Sequence, residues 1–392
     1  MLLLTSLSVL AVNSLLSLIK FAFSSCFTIF VKTSVDNPCN MGINQAIKDK
    51  LLKIKESLSG IILEDQFKLR PDMAKAYNEN QKNKYRNDVA WIISFLAEAI
   101  WARQPALFEE FISWLKTFLA SEKVPLKDLK ESLELLKNRI NEACSDEENL
   151  LINPLMESAI SVVLSEGQKI SIPASDNHLT PVARKYMDYL FRGKRNDALS
   201  LIISEVEAGT TVREIYLDVF QPVQYEIGRL WQTNKISVAQ EHFCTGATQL
   251  VMSQLYPYLF TGEKKDRKMV TTCVSGELHE IGARMVTDFF EMEGWDTYYL
   301  GANMPVEGVI KFLCEIKPQL LAISATMTFH VSAVEEMIRN IRSAPGIPSE
   351  LKILVGGYPF KVADRLWEHV GADGFALDAL EAVSLAEKLI AA

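Results

Sequence analysis

The stretch Ser275-Gly276-Glu277-Leu278-His279-Glu280-Ile281-Gly282 places one imidazole between an apolar strand pattern, Lys268–Val274, and a helix pattern. Open α/β sheets bind ligands in such loops, beyond the carboxyl ends of their strands. Glu277 is spaced to hold one ring nitrogen of His279, as carboxylates do for metal-binding imidazoles. Gly282 leaves room for a bulky group at the helix start. The stretch predicts a ligand site with His279 as metal ligand, the alternative being a surface or capping histidine.

Two further strand ends carry small polar or side-chain-free residues. Ser324 and Thr326 close one apolar run, and Gly356 and Gly357 close another. Short apolar strands alternating with helices predict a parallel, doubly wound sheet of the Rossmann-like, flavodoxin type, whose strand ends meet at one edge. We predict strands at about Met269–Cys273, Asp296–Leu300, Leu320–Ile323, Ile353–Val355 and Gly374–Ala376, and helices at about Gly282–Glu293, Pro305–Glu315, Val331–Ser343, Phe360–His369 and Ala379–Ala391.

The order of these three motifs resembles the cobalamin-binding domain of methionine synthase, corrinoid proteins and B12-dependent mutases. The resemblance covers about residues 266–392. It implies a cobalamin held base-off, with His279 ligating cobalt from below. It also implies that Ser324 and Thr326 offer hydroxyls to the nucleotide tail, beside a wall without side chains at Gly356 and Gly357.

Glu277 departs from this family, most members of which have Asp at that position. We expect the extra methylene to lengthen the contact between this carboxylate and His279. No Gly-x-Gly-x-x-Gly follows the first strand and no phosphate loop is present, which excludes nicotinamide, flavin and nucleotide-triphosphate sites of those kinds.

A helical segment at residues 178–261 precedes the sheet. Its pattern predicts four helices, with Thr210 or Thr211 capping the third and Ser237 the fourth. It resembles the helical cap over the upper face of the corrin in methionine synthase. The predicted helices are Pro181–Phe191, Asp197–Glu207, Thr211–Trp231 and Ser237–Leu259, and Gly262–Lys268 is predicted to be a charged hinge.

The spacing of Trp231 from Glu241 and His242 resembles the light-responsive adenosylcobalamin regulators of the CarH type. The resemblance implies that these three side chains form an upper-face pocket for an adenosyl group. Gln232 stands where the best-known regulators have a histidine. No MerR-type DNA-binding segment precedes residue 178, so we expect no direct binding to nucleic acid. The alternative is a core tryptophan beside a solvated helix face.

The N-terminal part is patterned differently. Residues 1–40 form an apolar leader. It is predicted to be either a membrane anchor at residues 1–31 or the product of a start placed before Met41. Residues 41–170 predict a helical sensory or oligomerisation domain, interrupted at Pro71, Pro105, Pro125 and Pro154. That domain has no histidine, which excludes a histidine-ligated haem. Its aromatic residues, predicted to be core or the lining of a tetrapyrrole pocket, are Trp91, Trp101, Phe108, Phe111, Trp114 and Phe118.

Composition agrees with a multidomain cytoplasmic protein. The chain has 392 residues, 48% of them apolar, and a net charge of −8, which disfavours a nucleic-acid surface. Its six cysteines show no C-x-x-C spacing and predict buried thiols.

These features lead to two functional hypotheses. The preferred one is a cobalamin-binding sensor, not an enzyme, that favours adenosylcobalamin, responds to light and reports through a homo-oligomer or a downstream regulatory protein. The alternative is a methyl-carrying corrinoid protein, using methylcobalamin, that serves separate methyltransferases. A structural bundle with an empty sheet domain is a third, weaker possibility.

Overall fold

The computed structural model describes residues 39–165, 177–259 and 263–391. These form two compact units that divide near residue 169. The polar segment 168–179, which contains Pro173, Ser175, Asp176 and Asn177, predicts a linker between the two units. Most of this segment, and all but the last two residues of the predicted leader, lie outside the described residues. Within those three ranges, no helix has the length and apolar character needed to cross a membrane.

The first unit is entirely helical in its described residues. Pro71 and Pro105 each stand in the first turn of a helix, and Pro125 is the residue before one, as predicted. Pro154 instead lies inside a helix, which continues although proline cannot donate to the carbonyl one turn earlier. The helices are α1 (Cys39–Leu69), α2 (Pro71–Ala76), α3 (Glu79–Ala102), α4 (Pro105–Ser121), α5 (Leu126–Ala143) and α6 (Asp146–Leu164).

Five of the six aromatic side chains predicted in this unit are buried in its core, and the exception is Trp91. Phe111 stacks on Phe95 at 3.7 Å between ring centroids. Trp91 lines a cleft of about 210 Å³ together with polar side chains that include Lys55 and Asn87. The core interpretation therefore holds for the other five.

The cap, residues 178–259, contains the four predicted helical segments. Thr211 and Ser237 cap the third and fourth through reciprocal bonds with Glu214 and Gln240, as predicted. The third segment contains a π-helical turn just before Pro222, which has no amide hydrogen to donate. The elements are α7 (Thr180–Phe191), α8 (Arg195–Glu207), α9 (Val212–Glu214), the π turn (Ile215–Phe220), α10 (Gln221–Gln232) and α11 (Val238–Leu255), followed by a 3₁₀ turn (Tyr256–Tyr258).

The sheet domain is a five-stranded parallel sheet of order β2-β1-β3-β4-β5, the doubly wound order that was predicted. Cys273, Ser324 and Gly356 lie level with one another at the carboxyl ends of β1, β3 and β4. The elements are β1 (Lys268–Cys273), α12 (Ile281–Met292), β2 (Asp296–Tyr299), α13 (Val306–Ile316), β3 (Leu320–Ser324), a 3₁₀ turn (Thr328–His330), α14 (Val331–Ser343), β4 (Lys352–Gly356), α15 (Tyr358–Val362), α16 (Leu366–His369), β5 (Gly374–Phe375) and α17 (Ala379–Ala391).

One predicted helix of this domain was wrong. The segment Phe360–His369 is not one helix, because Ala363 is extended and Arg365 takes a left-handed conformation with φ of 53°. Two short helices, α15 and α16, replace it.

The cap and the sheet domain share one hydrophobic core. Tyr216 of the π turn packs against Phe289 of α12, with ring centroids 6.3 Å apart, and donates a hydrogen bond of 2.7 Å to Asp288. The cap is thus packed directly on α12.

The segment predicted to be a charged hinge is held by ion pairs where the structure describes it. Lys264 lies 2.9 Å from Asp296, and Lys265 lies 2.9 Å from Glu387 on α17. Arg267 also pairs with Glu387. The segment 263–268 is therefore fixed to the sheet domain along its described length.

Candidate cofactor site at the carboxyl end of the sheet

The site is built around the carboxylate of Glu277, in the loop that follows β1. Its side chain is 0% exposed. Oε1 accepts hydrogen bonds from the backbone N–H groups of Leu278 at 2.9 Å and His279 at 3.0 Å, and from Nδ1 of His279 at 2.5 Å. The predicted pairing of Glu277 with His279 is present.

The other oxygen of Glu277 holds the loop that follows β3. Oε2 accepts from the backbone N–H groups of Thr326 at 2.7 Å and Met327 at 3.1 Å, and from Nδ1 of His330 at 3.1 Å. The carboxylate therefore joins the loops after β1 and β3, which flank the point where the strand order reverses. Doubly wound sheets place their ligand crevice there.

The expected lengthening of the contact between Glu277 and His279 was wrong, since the distance is only 2.5 Å. The extra methylene instead lets the carboxylate reach Thr326, Met327 and His330 across the crevice while it still contacts His279.

His330 was not predicted as a site residue. It belongs to the 3₁₀ turn after β3, and its side chain is 12% exposed. Its ring lies over Gly276, because a Cβ added to that glycine would be 3.1 Å from Nε2 of His330. The sequence signal that could have found it is an imidazole in the second loop of the crevice.

The electrostatics of this group fix its protonation. Burial is the largest influence and acts to raise the pKa of the Glu277 carboxyl, but hydrogen bonds from the His279 and His330 imidazoles outweigh it and hold that pKa well below its usual range. An ionised carboxylate only accepts hydrogen bonds, so both Nδ1 atoms carry hydrogen. Nε2 is then the nitrogen of His279 suited to bind a metal.

The other predicted residues of the sheet domain lie around the same edge. Ser324 ends β3, and Thr326 reaches Glu277 through its backbone. Gly282 faces open space, with no atom within 4 Å of an added Cβ, and at Gly356 the nearest atom would be 4.0 Å away. Gly357 has a structural reason to be glycine, because φ is 110° and a Cβ would lie 1.9 Å from the carbonyl oxygen of Ala325.

The three predicted residues of the cap lie at the start of α11 and the end of α10. Trp231 is buried, and Glu241 is buried with its carboxylate 2.6 Å from Nδ1 of His242. His242 itself is half exposed. The cap side chain that meets the loop after His279 is Gln249, further along α11.

The donor set fits a metal carried in a macrocycle. Among residues 39–165, 177–259 and 263–391, no group of three His, Cys, Asp or Glu side chains could hold a bare metal ion. A cobalt ion carried in a corrin is held by the ring itself, so a single ligand from the protein would be enough to bind it. His279, with its Nδ1 fixed by Glu277, can supply that ligand.

Comparison with known protein families supports this conclusion. Residues 267–384 match the B12 binding domain family, and residues 182–256 match a second B12 binding domain family. This part of the chain is a B12-binding domain with its helical cap. The second match lies within the cap and the first within the sheet domain, so each of these two segments matches a B12 binding domain family.

Relatives of the B12-binding domain include two dimethylamine corrinoid proteins. That of Methanosarcina barkeri is 28% identical over 170 residues, or 43% of this chain and 76% of the relative. Dimethylamine corrinoid protein 2 of Methanosarcina mazei is 30% identical over 128 residues, or 32% of this chain and 58% of the relative. The structure of the monomethylamine corrinoid protein of Methanosarcina barkeri covers 54% of this chain and 99% of its own, with 24% identity and a TM-score of 0.48.

The first unit matches a different family. Residues 44–163 match the phycobilisome protein family. The chain thus joins a segment similar to phycobilisome proteins to a B12-binding domain.

Proposed function

We propose that this protein is a methyl-carrying corrinoid protein that holds its cofactor base-off, with His279 as the lower cobalt ligand, and serves separate methyltransferases. When bound, the corrinoid supplies a cobalt centre that can take up and give up a methyl group. The observation that carries the proposal is the 2.5 Å contact between His279 Nδ1 and the buried Glu277 carboxylate, within a B12-binding domain.

The protein's own residues have separate roles in this proposal. Glu277 orients His279 and increases the basicity of its Nε2. The hydroxyls of Ser324 and Thr326 are the proposed partners of the nucleotide tail, and the open space at Gly356 is the proposed slot for it. Gly282 would let the corrin approach the start of α12.

The names of the relatives favour the carrier over the sensor. Both relatives compared above are described as dimethylamine corrinoid proteins. Carriers of this kind work with a methyl donor and a methyl acceptor bound by other proteins, so we propose methyltransferases as the partners. Methylcobalamin is accordingly the proposed working form of the cofactor.

The test is the visible absorption spectrum of the purified full chain after incubation with methylcobalamin in the dark. We expect the spectrum of a base-off, histidine-ligated corrinoid. His279→Ala should abolish it, while His178→Ala, a change at an exposed histidine of the cap, should leave it intact. An unchanged spectrum in His279→Ala would show that His279 is not the cobalt ligand.

A light-responsive adenosylcobalamin sensor is the second candidate. It is favoured by Trp231, Glu241 and His242 on the cap, where the buried Glu241 holds the half-exposed His242. This candidate predicts that Trp231→Ala weakens the binding of adenosylcobalamin more than the binding of hydroxocobalamin. It also predicts that green light changes the absorption spectrum of the adenosylcobalamin complex. If Trp231→Ala lowers the affinity for both forms equally and light has no effect, the methyl-carrying corrinoid protein is the candidate that is left.

A further inference from the structure

Glu280, the residue directly after His279, connects the cap to the sheet domain. Its Oε1 accepts a hydrogen bond of 2.7 Å from the Gln249 amide on α11. Its Oε2 accepts from the Tyr299 hydroxyl at 3.1 Å and from the backbone N–H of Ala302 at 3.1 Å. One carboxylate thus bridges a cap helix and the loop after β2.

Arg284 strengthens the same contact. It lies four residues after Glu280, so both side chains project from one face of the helix start. Its guanidinium donates to the backbone carbonyl of Gln249 at 3.2 Å and to the Ser253 hydroxyl at 2.9 Å. The side-chain amide of Gln249 is therefore held by Glu280, directly before α12, and its backbone carbonyl by Arg284 within α12.

The loop after β2 continues the connection to the turn that holds His279. The side chain of Asn303 accepts from the backbone N–H of Gly276 at 2.7 Å. The backbone N–H of Asn303 donates to the carbonyl of Glu277 at 2.9 Å. Hydrogen bonds and short chain segments thus run without a gap from Gln249, through Glu280 and the loop 299–303, to the turn 276–279.

We propose that Glu280 is a positioning residue that couples the docking of α11 to the placement of His279. Release of Gln249 from Glu280 frees one side of the turn 276–279, so the lower ligand loosens when α11 moves. A partner protein that displaces α11 to reach the corrinoid would in this way also change the hold of His279 on the metal. The inference rests on the proposed function for the role of His279, and on the contacts above for the coupling.

The test is hydrogen exchange of the full chain without corrinoid, comparing Gln249→Ala with Gln254→Ala. Gln254 is an exposed residue of the same helix and serves as the matched control. We expect Gln249→Ala to raise exchange in the segment 276–280 by about threefold or more, since local opening follows the loss of fixed contacts. Gln254→Ala should leave that segment unchanged.

Variants of Glu280 separate coupling from simple loss of packing. Glu280→Gln keeps one acceptor oxygen, which can serve the Gln249 amide or the backbone N–H of Ala302 but not both, so its exchange should lie between that of wild type and that of Glu280→Ala. Glu280→Ala should raise exchange in 276–280, and adding Gln249→Ala to it should raise exchange little further, because the two changes break one connection. Faster exchange confined to α11, or additive effects of the two changes, would overturn the coupling.

A second measurement uses hydroxocobalamin. If the cofactor binds, Gln249→Ala should lower the histidine-ligated fraction of the spectrum while Gln254→Ala does not, and equal fractions in both would count against the coupling. If wild type takes up no corrinoid, the proposed function fails, whereas the exchange experiment still decides whether α11 and the turn 276–279 are coupled.

Discussion

His279 and His330 are held by opposite oxygens of one buried carboxylate, with Nδ1 distances of 2.5 Å and 3.1 Å from Glu277. The two imidazoles come from loops that follow different strands. Glu277 is therefore both the partner of the proposed metal ligand and the link that closes the crevice between β1 and β3.

Shortening this side chain should open the crevice. In Glu277→Asp the carboxylate should keep His279 but lose the amides of Thr326 and Met327, because it is one methylene shorter. We expect a loss of about 2–3 kcal/mol in unfolding free energy, since buried donors are left without acceptors. Hydrogen exchange at 326–327 should rise in Glu277→Asp and rise less in Glu277→Gln, which keeps the length; equal protection in the aspartate variant would contradict this.

The packing of His330 over Gly276 predicts a non-additive pair of substitutions. Gly276→Ala adds a Cβ 3.1 Å from His330 Nε2 at a backbone φ of 82°, so it should destabilise through both contact and backbone strain. In a His330→Ala background only the strain remains, about 1–2 kcal/mol. Urea unfolding of the two single variants and the double variant measures the difference, and strictly additive effects would show that the contact is unimportant.

The neighbouring glycines at the end of β4 should respond differently to alanine. Gly357→Ala should fold poorly, because its Cβ would lie 1.9 Å from the carbonyl oxygen of Ala325. Gly356→Ala should keep near-native stability, because the nearest atom is 4.0 Å away, yet it should weaken corrinoid uptake if the nucleotide tail lies there. Thermal unfolding checks the first outcome and corrinoid titration the second. Undiminished corrinoid uptake by Gly356→Ala would show that the nucleotide tail does not lie at Gly356.

Asp288 predicts a pH dependence of the contact between cap and sheet domain. Burial raises the pKa of this carboxyl from 3.8 to about 6, despite the hydrogen bond from Tyr216. Because the folded-state pKa is raised, the associated stability is fully present below pH 3.8 and is lost as pH rises through about 6. The total is about 3 kcal/mol, of which about 1–2 kcal/mol falls between pH 5 and 7.5.

Asp288→Asn should remove this dependence. Its unfolding free energy relative to wild type should therefore improve as pH rises from about 5 to 7.5. Asp266→Asn, a change at an exposed carboxyl, is the control and should follow wild type. Parallel pH curves for wild type and Asp288→Asn would contradict the prediction.

Local sequence pattern was sufficient for the order of strands and helices and for the contact between Glu277 and His279. Strand length and apolar runs reflect burial, and a two-residue spacing within one loop limits how two side chains can meet. The break at Ala363 and Arg365 could not be predicted in this way, because apolar periodicity does not report a single left-handed residue.

Contacts between segments that are distant in the chain could not be predicted from the sequence. His330 and Gln249 meet Glu277 and Glu280 only because β1 and β3 are neighbours and the cap packs on α12. The longer reach of glutamate at 277 was read as a weaker contact with His279, whereas folding uses it to span the crevice. Side-chain length can be interpreted only when the positions of all its acceptors and donors are known.

Lys265 and Arg267 both form ion pairs with Glu387, and this has a consequence for C-terminal truncation of the protein. Glu387 belongs to α17, the last helix of the fold, whereas the two cations stand where the chain enters the sheet. Deleting α17 would therefore remove the partner of both cations, so a truncation at the C-terminal helix should also loosen the segment 263–268 through which the cap is connected to β1.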